Sequence, residues 1–354
     1  MKRRFHILKY LTVFTIPGSV ALSFSLTGFW TWFPMVYAFV LVPALELLFR
    51  PQAKNLAEAE EAVAKADSFY DWLLYLIVPT QWAFLAWFLY TIEDSTLAGW
   101  ELAGRISAMG LMCGVLGINV AHELGHRSTK HERALAKTLL LSSLYMHFYI
   151  EHNRGHHKHV STPNDPASAR KGEILYTFWL RSVINSYRSA WQLERQRLRR
   201  KNLPFWSWHN EMLRFQIIQA TLLITIGVVF NLWALATFVL AATMGFLLLE
   251  TVNYIEHYGL QRKLQENGKY ERVQAHHSWN SNHVVGRLLL FELSRHSDHH
   301  FIASRPYQVL RHHDHSPQMP TGYPGMMLLS LFPPLWMYVM HHHSDLKKHL
   351  SPSY

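Results

Sequence analysis

Six apolar stretches constrain the fold of this chain, because each approaches the ~20 residues that a helix needs to cross the hydrocarbon core of a bilayer. Of its 354 residues, 49% are hydrophobic and only 16% are charged, whereas soluble domains carry roughly 25% charged residues. We therefore predict an all-α integral membrane protein, a single membrane-embedded domain over residues 1–354, with spans at about 7–26, 29–49, 69–92, 102–120, 212–230 and 232–252.

The distribution of lysine and arginine predicts the orientation of these spans. Basic residues precede the first span at positions 2–4, and Arg105 is the basic residue nearest to the opposite turns, which lie near Thr27, 92–96 and Asn231. Because Lys and Arg concentrate in cytoplasmic loops, both termini should be cytoplasmic, together with the segments 50–68, 121–211 and 253–354. The same asymmetry accounts for the net charge of +10 without a nucleic-acid partner.

Histidines are grouped at the inner ends of the spans and in the segments beyond them. Neutral imidazole is a ligand for zinc, copper, iron and nickel, and the i, i+4 spacing of His122 and His126 puts both rings on one helix face. His152, His156 and His157 are expected to repeat that geometry with one extra ring. A single zinc site takes four ligands at most, so nine rings suggest two metal ions with four or five nitrogens each. The candidate ligands are His122, His126, His152, His156, His157, His257, His296, His299 and His300.

Four carboxylates lie beside these histidines in the sequence. A carboxylate near a ligand can accept the other ring N–H and so fix the tautomer and the ring orientation. The alternative is that they are ordinary charges at the membrane–water boundary. These residues are Glu123, Glu151, Glu256 and Asp298. Asp165 and Arg170 are expected to pair and to brace the loop after the second histidine group.

Two other classes of protein share part of this pattern. His122-Glu-Leu-Gly-His126 matches the His-Glu-x-x-His motif, in which Glu123 would be the general base of a zinc metalloprotease, but the later histidine groups have no place there. A metal transporter would need histidines or acids in the middle of its spans, and the pattern does not favour that. The single cysteine, Cys113, excludes a rubredoxin or ferredoxin domain within this chain.

Four segments carry a resemblance to a known family. In order and spacing they resemble the integral-membrane alkane monooxygenases, within the wider group of membrane di-iron hydroxylases and desaturases. The segments are His122-Glu-Leu-Gly-His126, Glu151-His-Asn-Arg-Gly-His-His157, Asn253-Tyr-Ile-Glu-His-Tyr-Gly259 and Arg295-His-Ser-Asp-His-His300. The third and the fourth indicate the alkane branch, and the related alternatives are a xylene-type monooxygenase and a fatty acyl desaturase.

The resemblance implies a catalytic centre of two non-haem iron ions in a histidine-rich cytoplasmic cap of a bacterial inner-membrane protein. It also implies O2 as the oxidant, the terminal methyl group of an n-alkane as the target, and electrons from rubredoxin, with rubredoxin reductase and NADH upstream. The alkane is expected to arrive from the bilayer through a channel lined by aromatic residues. The candidates for that channel are Trp30, Trp32, Tyr37, Trp82 and Trp87. For each single ring we favour the alternative, a place in the interfacial aromatic belt or in helix packing.

Three further features are expected to be peripheral. The basic run Arg195–Lys201 should face anionic lipid headgroups or, alternatively, an acidic rubredoxin. The apolar patch at 326–340 looks too short and too broken by Pro333 and Pro334 to cross the membrane. The histidines outside the four segments are expected at the surface or in supporting roles: His159, His276, His277, His312, His313, His315 and His341 to His343.

Overall fold

A computed structural model describes residues 7–343 of the chain. These residues form helices joined by loops and turns, and within this range they form no β-strand, only the isolated bridges Leu264↔Tyr270 and Asn280↔Gln318. The predicted all-α membrane fold is confirmed.

We number the principal helices in chain order. The first eight are α1 Thr15–Ser25, α2 Gly28–Leu48, α3 Glu58–Ala66, α4 Phe69–Thr91, α5 Gly99–Gly125, α6 Lys130–Leu141, α7 at 148–159 and α8 Leu175–Arg200. The remaining six are α9 Glu211–Val229, α10 Leu232–His257, α11 Val284–Leu289, α12 His296–Phe301, α13 Tyr323–Ser330 and α14 Pro333–His342. Short 3-10 turns lie at Lys9–Phe14, Ala275–His277 and Tyr307–Val309.

Five of these helices are long and apolar enough to cross a membrane: α2, α4, α5, α9 and α10. They correspond to the second to sixth predicted spans. The first predicted span is a six-residue 3-10 turn, Lys9–Phe14, followed by the 11 residues of α1. With a rise of about 2.0 Å per residue in the turn and 1.5 Å in the helix, this segment is roughly 28 Å long. It approaches the ~30 Å hydrocarbon core, so the first span, and with it the count of six, stays a prediction.

Two asparagines fix where the last two spans begin. Asn210 Oδ1 accepts hydrogen bonds from the amides of Met212 and Leu213, and Asn231 Oδ1 accepts one from the amide of Ala234. Such N-caps satisfy backbone donors that have no partner inside the helix. Asn231 therefore starts α10 immediately after α9 and makes the two helices a tight hairpin.

Arg105, the basic residue nearest the outer turns, holds the ends of other helices. Its guanidinium is buried and donates to the backbone carbonyl groups of Ser23, Leu26 and Thr91. Carbonyl groups at a helix C-terminus lack intrahelical partners, and a cation interacts favourably with them. Arg105 thus joins the ends of α1 and α4 to the start of α5.

Helices α5 and α10 cross with their backbones almost in contact. A Cβ atom added at Gly245 would lie 2.5 Å from Cys113 Cβ, and one added at Gly114 would lie 2.9 Å from the Gly245 carbonyl oxygen. Small residues allow membrane helices to approach in this way. Because α5 ends beside His126 and α10 ends at His257, the crossing fixes the relative positions of two histidine-bearing helix ends.

The apolar patch at 326–340 consists of two short helices, α13 and α14, separated at Leu331 and Phe332. Neither is long enough to cross a membrane, as expected. Their inner faces pack against α8 and α10 around the buried aromatic residues Tyr254, Tyr258 and Trp336.

Candidate metal centre

All nine candidate histidines lie in two adjacent groups. In the first group the ligand nitrogens lie within 4.8 Å of one another, and its members are His122, His126, His152, His157 and His299. In the second group they meet the same limit, and its members are His156, His257, His296 and His300. The structure therefore divides the rings into five and four, the numbers expected for two metal ions, while metal binding itself stays a prediction.

A π-helical segment decides how the middle histidines are divided. Residues His152–His156 form a π-helix inside α7, in which the hydrogen bonds run from i to i+5 instead of i to i+4. On an α-helix His152 and His156 would share a face. Here His152 and His157 share one, and His156 is turned towards the second group. The expectation that 152 and 156 repeat the i, i+4 geometry of the first pair is wrong, because the turn is one residue wider.

A second π-helical segment, Met112–Ile118, lies in α5 one turn before the first ligand pair. The chain returns to α-helix at Asn119, and His122 lies in the last turn of the helix, with His126 directly after it. Widened turns of this kind are frequent at functional sites. A widened turn changes the direction in which the following side chains point, and the helix continues beyond it.

The ring nitrogens are spaced like the corners of a coordination polyhedron. In the first group His152 Nε2 lies 3.1 Å from His126 Nε2 and 3.0 Å from His157 Nε2, which lies 3.1 Å from His299 Nε2. In the second group the Nε2 atoms are 3.2 Å apart for His156 and His300, and 3.3 Å apart for His257 and His296. With metal–nitrogen bonds near 2.0–2.1 Å, adjacent ligands would be about 2.9 to 3.4 Å apart. The donor set and its spacing therefore fit a metal ion in each group.

Burial favours the neutral form of these rings, which is the form that binds metal. Burial, and then the charge of His156, lowers the pKa of His126 to about 3. Burial, followed by the neighbouring rings, also holds the pKa of His299 and of His300 well below its usual value. These three rings would thus bind a cation without first losing a proton at neutral pH. His156 differs, since burial acts to lower its pKa but Asp165 raises it above the usual value.

Asp165 orients a ring of the second group. Its Oδ2 accepts a hydrogen bond from His156 Nδ1 at 2.9 Å and another from Ser168 Oγ at 2.6 Å. Burial acts to raise the pKa of the Asp165 carboxyl, but His156 and these hydrogen bonds bring it below its usual value. A carboxylate on Nδ1 leaves Nε2 free for a metal. The expected pairing of Asp165 with Arg170 is wrong, because Asp165 faces the histidines.

Arg181 takes the role expected of Arg170. It donates to the carbonyl groups of Pro166 and Ser168 and forms a bidentate pair with Glu173. The loop that presents Asp165 is thus braced from α8. Sequence reasoning missed Arg181, and no spacing signal singles it out among the basic residues of α8.

Glu256 alone among the four neighbouring carboxylates contacts a candidate ligand. Its Oε2 lies 3.1 Å from His296 Nε2, and its Oε1 accepts a hydrogen bond from the Tyr323 hydroxyl at 2.7 Å. The contact is to Nε2, the nitrogen that faces His257, not to the opposite ring N–H as expected. Glu256 therefore lies at the edge of the second group itself.

The other three carboxylates bind different partners. Glu123 accepts from Arg127 and from the amide of Tyr307, Glu151 accepts from Ser189, and Asp298 accepts from Arg305, His313 and the amide of Arg311. Residues adjacent in sequence on a helix do not face each other. A carboxylate next to a histidine therefore points away from that ring, and the expected contacts are not made.

An apolar cavity ends at both histidine groups. His122, His152 and His296 line it together with Asn253 and Glu256. Its other walls are mainly aliphatic and include Ala38, Val42, Leu111, Val115, Leu248, Leu249, Val252, Leu289 and Leu293. None of the five aromatic residues expected in a channel lines it. Tyr37 bonds Thr15, Trp32 bonds the Trp100 carbonyl, and Trp87 packs on Phe24.

Known proteins are similar in sequence to this chain over most of its length. The fatty acid desaturase family matches residues 97–330. Alkane 1-monooxygenase 2 of Pseudomonas aeruginosa is 43% identical over 88% of this chain and 83% of its own length. Alkane 1-monooxygenase 1 of Alcanivorax borkumensis is 40% identical over 87% of this chain and 77% of its own length. This chain belongs to the alkane 1-monooxygenase family.

Family membership confirms the resemblance carried by the four segments. The chain is an oxidoreductase of the monooxygenase class and a multi-pass membrane protein. The hydroxylase component of a xylene/toluene monooxygenase from Pseudomonas putida is more distant, at 27% identity over 93% of this chain and 86% of its own length. The histidine groups of this family member thus lie where a hydrophobic cavity ends.

Several histidines outside the two groups are held in hydrogen bonds, among them His312, His313 and His341. His277 and His276 lie near Glu271 in a third cluster that a metal could fill. However, His277 Nδ1 accepts from the Gln274 amide and its Nε2 faces Glu271 Oε1 at 3.2 Å. A ring whose Nδ1 accepts carries its proton on Nε2, so that nitrogen is not free for a metal.

Two acids that sequence reasoning missed lie inside the spans. Glu250 in α10 accepts from the Tyr145 hydroxyl at 2.8 Å, and Glu46 in α2 accepts from the Gly286 amide at 2.9 Å. Both are buried towards the C-terminal ends of their helices, and α10 is the one that ends at a candidate ligand, His257. A carboxylate within an apolar run marks a functional region more often than not, and that signal was available in the sequence.

Proposed function

We propose that this chain hydroxylates the terminal methyl group of n-alkanes to give 1-alcohols, at a centre of two iron ions with O2 as the oxidant. The observation that carries the proposal is the position of both histidine groups at the end of a cavity whose other walls are mainly apolar. Such walls bind a substrate that has no hydrogen-bonding group by burying its apolar surface. The family supplies the reaction class.

The histidines would hold one ion in each group. Imidazole nitrogen suits iron, zinc, copper and nickel, while magnesium and calcium prefer oxygen. Two neighbouring groups, one of them with five rings, exceed the needs of a single zinc site. When bound, the two irons supply the oxidising power that an unpolarised C–H bond requires, because acid–base groups do not cleave such a bond.

The chain's own residues position the ligands and the substrate. Asp165 keeps a proton on His156 Nδ1 and so directs Nε2 to the second ion. Tyr323 holds Glu256 beside His296. The aliphatic walls align the alkyl chain with one end towards the histidines and exclude water from the reacting methyl group.

The reaction balances as RH + O2 + 2 e⁻ + 2 H⁺ → ROH + H2O, so the chain needs an electron donor. Its one cysteine, Cys113, is buried in α5, whereas iron–sulfur centres are held by several cysteines. We therefore propose rubredoxin as the donor, reduced through rubredoxin reductase by NADH. On this proposal the histidine end of the molecule faces the cytoplasm from a bacterial inner membrane.

For the basic run at the end of α8, a lipid contact has the stronger support. Arg199, Arg200 and Lys201 are exposed, and Trp206 and Trp208 follow them with exposures of 82% and 70%. Tryptophan concentrates at membrane–water interfaces, and basic side chains are attracted to anionic headgroups.

Metal analysis followed by a turnover assay tests the proposal. The expected result is iron at about two ions per chain, one for each histidine group, and conversion of a medium-chain n-alkane to the 1-alcohol with rubredoxin, its reductase and NADH. Zinc without iron would contradict it and revive the metalloprotease alternative. An alkene product from an acyl substrate would indicate a desaturase, and benzylic oxidation alone would indicate a xylene-type enzyme.

A further inference from the structure

An apolar groove lies on the surface of the helix bundle between α2, α10 and α13. Its walls are Met35, Phe39, Trp179, Leu240, Thr243, Met244, Leu247, Leu248, Thr251, Met327, Leu328 and Leu331. Three of these side chains are polar, and two of them are hydrogen-bonded: Trp179 Nε1 donates to Thr251 Oγ1, and Thr251 Oγ1 donates to the Leu247 carbonyl. The groove therefore offers hydrocarbon no unpaired donor from these two side chains.

Three residues separate this groove from the cavity that ends at the histidines. Phe39, Leu248 and Met327 line both spaces, one from each of α2, α10 and α13. Each side chain is apolar, and none has a hydrogen bond that movement would break. These three side chains therefore form the wall that the two spaces share.

One row of side chains on α10 runs from the groove into the cavity. Leu240, Met244 and Leu248 face the groove, and Leu248, Val252 and Glu256 face the cavity. These residues are four apart, so they form a single ridge along the helix. Leu248 lies nine residues before His257, about 13 Å along the axis, which puts the separating wall inside the span and not at its end.

The backbone of α2 is widened at the same wall. Tyr37–Leu41 is a π-helical segment, with Phe39 at its centre. Met35 faces the groove, Ala38 and Val42 face the cavity, and Phe39 lies between them. Wide turns of this kind interrupt the regular i to i+4 hydrogen bonds of the helix. The backbone of α2 is therefore less regular at Phe39, the residue that lines both spaces.

We infer that the groove is a lateral entrance through which an alkyl chain passes from the bilayer core into the cavity, and that Phe39, Leu248 and Met327 form its gate. The nature of the occupant rests on the proposed function. The argument for the entrance is its continuity with the cavity and its lipid-facing surroundings, where Leu240 is 56% and Leu331 is 36% exposed.

The test uses full-length protein in lipid vesicles that contain a photoreactive alkyl diazirine. After illumination, mass spectrometry locates the label. In the wild type we expect labelling in the groove, at Met244 and Leu247, and in the cavity, at Val115 and Val252. In Leu248→Trp the indole should fill the gate, so that the initial rate of cavity labelling falls by about one decade while groove labelling persists.

Val239→Trp is the matched control, since Val239 lies on the same helix nine positions before Leu248, is exposed and does not line the groove. It should leave both labelling rates unchanged. Phe39→Ala should speed cavity labelling, and it tests the gate independently if Leu248→Trp does not fold. Cavity labelling that is unchanged in both gate variants would overturn the inference.

Labelling needs neither turnover nor electrons, so the two proposals fail separately. Gate-dependent labelling in a protein that does not hydroxylate alkanes would support the entrance and contradict the proposed function. Normal alkane turnover in a protein whose cavity labelling does not depend on the gate would support the proposed function and contradict the entrance. In active protein, Leu248→Trp should lower kcat/KM more than kcat, because entry precedes the chemical step.

Discussion

Replacement of Asp165 should weaken metal binding in the second histidine group. Asp165 Oδ2 is bonded to His156 Nδ1 at 2.9 Å and to Ser168 Oγ at 2.6 Å. Asp165→Asn keeps the shape and an acceptor oxygen but loses the charge, whereas Asp165→Ala loses both. Carboxylates behind a ligating histidine typically account for a 10–100-fold difference in metal affinity, about 1.4 to 2.7 kcal/mol. That range matches the ~1.5–3 kcal/mol of a hydrogen bond to a charged group.

The assay is a chelator titration with iron counted per chain. We expect Asp165→Asn to lose iron at roughly 10-fold lower chelator concentration than the wild type, and Asp165→Ala at about 100-fold lower. The second group should empty first, because Asp165 contacts only its ring. Glu101→Gln is the control, since Glu101 is a buried carboxylate about 31 Å before His122 along α5. Equal chelator midpoints in all four proteins would refute the role of Asp165.

Three further predictions test other parts of the structure. His257→Ala should remove one of four nitrogens from the second group and abolish alkane turnover; near-normal turnover would show that this ring is not a ligand. Gly245→Ala should lower the melting temperature, because the new Cβ would lie 2.5 Å from Cys113 Cβ, whereas Gly227→Ala meets its nearest atom at an ordinary 3.6 Å and should be neutral. The pKa of buried Glu194 is lowered below its usual value because hydrogen bonds and ion pairs with arginines outweigh burial. The contribution of the Glu194 carboxylate to the free energy of unfolding is therefore present above the unfolded pKa and lost as the pH falls through the folded pKa. Glu194→Gln should accordingly lower the melting temperature at neutral pH and leave it unchanged in acid.

The membership of the histidine centre could be read from the sequence, but its division into two groups could not. Spacing, together with position at the inner ends of the predicted spans, identified all nine rings that the structure brings together. The assignment of His156 and His157 to different groups depends on a π-helical turn, and one residue of extra winding leaves no mark in a pattern of histidines. Sequence reasoning assumed the commoner α-helical period and so placed His156 beside His152.

The supporting carboxylates were missed for a different physical reason. Glu123 and Asp298 were chosen because they adjoin ligands in sequence, yet adjacency on a helix turns side chains away from each other. Asp165 reaches His156 from a loop nine residues later, a contact that depends on how the chain folds back. Cavity walls such as Val115 and Leu249 were unpredictable because membrane helices are apolar on every side.

The near-contact of α5 and α10 at Gly245 makes the centre sensitive to helix tilt. His257 lies 12 residues beyond that crossing point, a lever arm of about 18 Å. A tilt of only 5° would then move the ring by roughly 1.6 Å, half the separation of neighbouring ring nitrogens. Membrane helices tilt to match the thickness of the bilayer. A change in bilayer thickness should therefore shift the two histidine groups relative to each other, and we expect iron retention to vary with acyl-chain length in defined bilayers.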